Sequence, residues 1–182
     1  MDSRANYLIA LEHIEQDRSD WYNLLKDKSI AQLWFQPNPY VWSAFHILQH
    51  LIRTEATVLQ YCTKKIQAAD LKKVSALTTL KTWYMQFALY QRIIKYRAPN
   101  YVKPDELPPD ITLDEAFKQW AQVRKQWKDF ILSMPEDKLD KEVYKQPFAG
   151  RLGWYGTMQF LKGHMGRHRV QLDRVLGEFL KL

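Results

Sequence analysis

His164 and His168, in the run Gly163-His164-Met165-Gly166-Arg167-His168-Arg169-Val170-Gln171-Leu172, are the first residues of this chain whose spacing could do chemistry. On a helix, residues four apart lie about 40° apart around the axis and about 6 Å apart along it, so both imidazoles face one ion. The metal-binding helix of zinc hydrolases uses the same spacing. A third ligand must come from elsewhere, and Phe45-His46-Ile47-Leu48-Gln49-His50 offers one on an earlier helix. His50 shares a face with Ile47 and Leu51, so its ring points inward. There it either hydrogen-bonds within the core or binds metal, since a buried imidazole loses its hydration. Three neutral imidazoles leave a divalent ion its full charge and an open coordination position. Water held there is acidified, to a pKa of about 7 in favourable zinc sites. A thiol held there is deprotonated and stays nucleophilic. Nitrogen donors accept zinc or nickel, and also iron or copper.

Other residues qualify less directly. His46 lies one turn before His50 on a similar face, as a fourth ligand or a group orienting the first three. Glu55, five residues after His50, and Gln171, three after His168, could orient ligands or bound water. His13 has no second histidine at i+4 and reads as a boundary or surface residue. Arg167 and Arg169 flank His168 but point to other faces. Cys62 falls on the apolar stripe of its helix and reads as packed rather than nucleophilic.

The elements that must position these groups read as helices almost throughout. Tyr7, Leu8, Leu11, Ile14, Trp21, Leu24 and Leu25 recur at threes and fours, predicting a first helix from about Ser3 to Asp27. Pro37 and Pro39 break the ladder, and Ser43 is an N-cap for a second helix from about Ala44 to Ala68. Leu80, Trp83, Tyr84, Phe87, Tyr90 and Ile94 predict a third helix from Leu77 to Arg97, whose aromatics read as ordinary packing more than as a pocket wall. Residues 98–109 hold four prolines and form a long connection. Thr112-Leu113-Asp114-Glu115 is a capping box for a fourth helix ending before Pro135. Glu136 to Gly153 reads as a structured loop with no hairpin pattern, and a fifth helix from about Tyr155 to Leu180 carries the paired histidines.

Composition bounds the class. With 182 residues, 46% of them apolar and seven tryptophans, the chain supports one domain spanning 1–182 with a substantial core. A single cysteine forbids an internal disulfide and suits a reducing, cytoplasmic setting. The N-terminus lacks the apolar stretch of a signal peptide, and no apolar run approaches the ~20 residues that cross a bilayer. The formal charge of +7 raises nucleic acid as a partner. The lysines are scattered among acids rather than gathered into a phosphate-tracking stripe, which argues against that class.

The sequence Trp42-Ser43-Ala44-Phe45-His46-Ile47-Leu48-Gln49-His50-Leu51, followed by Ala98-Pro99, by Phe148-Ala149-Gly150-Arg151-Leu152 and by the terminal His-x-x-x-His with Gln171, resembles the DinB-like (DinB/YfiT-like) family of metal-dependent proteins over nearly the whole chain. The resemblance implies an all-α fold: a DinB-like four-helix bundle, here with an additional helix and a long proline-rich connection. It also implies a metal on His50, His164 and His168, and places His46 where relatives commonly carry a non-ligand residue. Characterised relatives include thiol-cofactor transferases and a mycothiol-dependent maleylpyruvate isomerase. The implied function is a divalent-metal enzyme, a thiol-dependent S-transferase or a hydrolase, acting on a small electrophilic substrate with a low-molecular-weight thiol as cosubstrate. The alternative is a non-catalytic, stress-linked metal-binding bundle acting as a homodimer, since bundle proteins often bury a remaining apolar face against a twin.

Overall fold

The computed structural model describes residues 3–90, 111–147 and 149–181. Among them are α1 (Arg4–Leu25), α2 (Ile30–Trp34), α3 (Ala44–Lys65), α4 (Ala76–Tyr90), α5 (Leu113–Ser133) and α6 (Trp154–Phe179), with a two-stranded hairpin of β1 (Tyr144–Gln146) and β2 (Gly150–Leu152). The all-α expectation holds. Residues 91–109, which carry the end of the expected third helix and the proline-rich connection, lie outside the described residues, as does Phe148.

Serine and threonine caps set the helix starts. Ser3, Ser29, Ser43 and Thr112 each accept a backbone N–H of the first turn, and Ser29, Ser43 and Thr112 do so within reciprocal capping boxes. The Thr112–Glu115 box is the one read from sequence. The Ser29–Gln32 box starts a helix that the sequence reading passed over, because α2 has five residues and is too short to show a period.

Four helices form the bundle. α1 packs against α5 and α6, and α3 packs against the same two, so α1 and α3 occupy opposite corners. The core between them is aromatic: Trp120, Trp127, Trp154, Tyr7 and Phe45 are fully buried, and Trp21 meets Trp120 edge-on at 6.1 Å. Arg4 ties the start of α1 to the end of α5 through the Ile131 and Met134 carbonyls.

α4 lies outside the bundle against α6. Its close approach depends on two glycines of α6. A Cβ at Gly156 would stand 2.6 Å from Thr82 Oγ1, and one at Gly163 would stand 3.1 Å from Leu89 Cδ1. The face of α4 that meets α6 is therefore not its aromatic one. Trp83, Tyr84 and Phe87 are 53–74% exposed, which corrects the expectation that the aromatics of this helix are ordinary packing, and Leu77 and Leu80 are exposed beside them. The segment after α5 also differs from a plain loop. β1 and β2 pair antiparallel, Tyr144 opposite Leu152, around Gly150 at φ 74°. With three residues per strand, the pairing is too short for alternation to register as a pattern.

Candidate metal centre

α3 and α6 bring three imidazoles to one point. Ser43 caps α3 so that His50 falls in its second turn, facing α6, and α6 carries His164 and His168 on one face. His164 Nε2 stands 3.2 Å from His50 Nε2 and 3.2 Å from His168 Nε2. Nitrogens held ~2.0–2.1 Å from an ion at tetrahedral angles stand ~3.3–3.4 Å from one another. The three ring atoms all lie within 4.8 Å of one another, so the cluster fits a divalent ion.

The surroundings set the protonation state. Gln171 Oε1 lies 2.9 Å from His168 Nδ1, so Nδ1 carries the ring proton and Nε2 presents a bare lone pair to the cluster. Burial is the main force lowering the His168 pKa, to about 3, with the neighbouring His50 adding to it. Burial likewise holds His164 well below the usual histidine range, helped by His168 and His50. Both rings are neutral at pH 7, the form that ligates. Two lone pairs facing a shared neighbour repel unless a proton or a cation lies between them. A cation satisfies all three at once.

Aromatic rings fix the cluster from both sides. Trp42 stacks on His168 at 6.3 Å and 15° and tilts against His50 at 4.9 Å. Phe160 stacks on His164 at 5.5 Å. His50 and His168 are buried as whole residues; His164 keeps some exposed surface, although its ring is desolvated enough to hold its pKa down.

The remaining candidates lie elsewhere. His46 is absent from the cluster: its Nδ1 sits 2.6 Å from Ser43 Oγ and accepts the Ser43 N–H at 3.3 Å, completing the cap of α3. The imidazole stands where Glu or Gln usually completes such a box. Glu55 also turns away from the histidines and pairs with Arg124 of α5 at 2.7 Å, both side chains at most 5% exposed. Arg124 reaches Met165 Sδ at 3.2 Å, so this buried pair joins α3, α5 and α6. Sequence reasoning missed Arg124, whose place inside the stripe of Trp120, Val123 and Trp127 was the available signal. Cys62 is buried and its thiol pKa is pushed up by desolvation, which leaves it unreactive. His13 is exposed, and Arg169 pairs with Asp173 at 2.9 Å on the surface.

A groove of about 870 Å³ runs between α4 and α6, lined by Trp83, Phe87, Lys162, Gly166, Arg167 and Val170 among others. Gly166 lies roughly 160–200° around α6 from the two histidines, so the groove opens on the other side of that helix. It is not the mouth of the histidine cluster.

No curated protein and no solved structure matches the chain. The sequence profile of the DinB superfamily matches residues 13–172, a span that includes all three clustered histidines. The chain belongs to the DinB superfamily, a metal-binding family of helical proteins.

Proposed function

We propose that this protein is a divalent-metal-dependent enzyme whose ion is held by His50, His164 and His168, acting as a thiol-dependent S-transferase or a hydrolase on a small electrophilic substrate. The observation that carries the reading is the convergence of three ring nitrogens with no fourth protein donor among the described residues. Three donors leave a tetrahedral ion one position for an exchangeable ligand, whereas a structural site is closed by four. Zinc or nickel suits the donor set best, with iron or copper also compatible. A bound ion supplies Lewis acidity, which lowers the pKa of a water or thiol at the open position.

The chain's own residues provide the rest. Gln171 holds the tautomer of His168, and Trp42 and Phe160 prevent the rings from turning away. Attack of a thiolate on an electrophilic carbon forms the C–S bond as the leaving group departs with the electron pair. The test is turnover: metal-loaded protein is screened with low-molecular-weight thiols and electrophilic halides, epoxides and esters. The expected result is a rate that needs metal and is lost in His168→Ala. Loaded protein that leaves every thiol and ester substrate at the background rate would instead favour the non-catalytic metal-binding alternative.

A further inference from the structure

α4 carries two apolar faces, and the bulkier one is turned outward. Its inner face is Thr78, Thr82, Met85, Ala88 and Leu89, all buried. Its outer face is Leu77, Leu80, Tyr84 and Phe87, with Trp83 beside them, at 59%, 62%, 60%, 53% and 74% exposure respectively. Positions 77, 80, 84 and 87 are spaced three, four and three. That is the repeat of a coiled-coil seam, in which one helix meets another at a shallow angle. A helix shaped only to lie on α6 would place its large side chains inward, against the bundle.

From this we infer that α4 docks against α4 of a second copy of the same chain. The area suffices. Three aromatics that can each bury ~150–250 Å², here a little over half exposed, and two leucines give roughly 500–600 Å² of apolar surface per copy. Two copies together reach about 1,100 Å², above the ~1,000 Å² that a biological interface should clear and at the small end of the scale, which suits a dimer that dissociates on dilution. The four seam positions carry no charge, so apposing the stripe to itself brings no like charges together. Lys81, exposed on the flank, is the one charged residue of α4 and stays at the rim. The α4–α6 groove shares Trp83 and Phe87 with the stripe, so the docked copy also covers one of its walls.

The test is the solution mass of the full chain, followed by light scattering from micromolar to about 100 micromolar protein. The wild type is expected at twice the 21.8 kDa chain mass. Leu80→Glu combined with Phe87→Glu is expected to weaken association by about 100-fold or more, because central apolar contacts dominate interfaces. Both positions are exposed, so far-UV circular dichroism should stay unchanged. Leu132→Glu, at an apolar residue 50% exposed on α5, should leave the dimer intact. A wild type monomeric at every concentration, or a dimer surviving the double substitution, overturns the inference. So does a monomer that binds phosphatidylserine vesicles through Trp83, because the stripe would then be a membrane-facing one.

Discussion

Gln171 makes no contact with the reacting position, yet removing its amide should cost metal affinity. Its Oε1 accepts from His168 Nδ1 at 2.9 Å. Gln171→Leu keeps the side chain's size and deletes the acceptor. His168 then loses the bond that fixes its ring and favours the tautomer with a bare Nε2. Outer contacts of this kind are worth about 10–100-fold in metal affinity, or about 1.4–2.7 kcal/mol. The net value of one hydrogen bond, about 0.5–1.5 kcal/mol, covers the lower part of that range, and loss of ring orientation supplies the rest. The assay is competition for zinc against a chromophoric chelator, starting from metal-free protein. The partner experiment is Gln171→Glu, whose carboxylate still accepts from His168 Nδ1 and should keep zinc affinity at or above that of the wild type. A loss in Gln171→Glu equal to that in Gln171→Leu, or no loss in Gln171→Leu, would refute the reasoning.

Three further outcomes follow from the same geometry. Glu55→Ala strands the Arg124 guanidinium in the core and should destabilise by about 3–5 kcal/mol by denaturant unfolding, whereas Glu55→Leu with Arg124→Met should recover most of that and keep zinc affinity within about threefold. Metal-free protein should lose stability as pH falls below 6.5, the ordinary histidine value. Below it the unfolded chain takes up protons that His168, with its pKa near 3, and His164 refuse. The slope is up to about 1.4 kcal/mol per pH unit for each ring, measured as urea midpoints between pH 7.5 and 5 and flattened in the His164→Ala/His168→Ala variant. Gly156→Ala should destabilise, because its Cβ meets Thr82 at 2.6 Å, while Gly177→Ala, with nothing within 4 Å, should stabilise by roughly 0.5–1 kcal/mol on thermal melts.

The helices were legible where their period was long and their caps chemical. Ser43 and Thr112 fall where the sequence places them, and the ends of α1, α3, α5 and α6 lie within three residues of expectation. The histidine cluster was legible because i, i+4 spacing on one helix is a local property. His50 joined it only through the resemblance and the inward face it shares with Ile47 and Leu51. What the sequence could not show was long-range or lacked a period. His46 looked like a ligand because it is a turn from His50, but a position three residues after a serine N-cap is claimed by the cap. Glu55 was placed near the metal by its distance along α3, while its partner is Arg124, 69 residues away. The aromatic face of α4 could be seen in sequence, but its direction could not. Glycines 156 and 163 of α6 determine which side of α4 can approach closely, and that constraint lies seventy-odd residues downstream.

The most direct test of the account is metal content. Protein purified without a histidine tag is analysed for transition metals beside His50→Ala, His164→Ala, His168→Ala and His13→Ala. About one divalent ion per chain in the wild type and in His13→Ala, lost in each of the other three, is the predicted result. Failure of the wild type to hold zinc or nickel, even after either is added in excess, would contradict it. Retention of a full equivalent by the three cluster variants would contradict it equally.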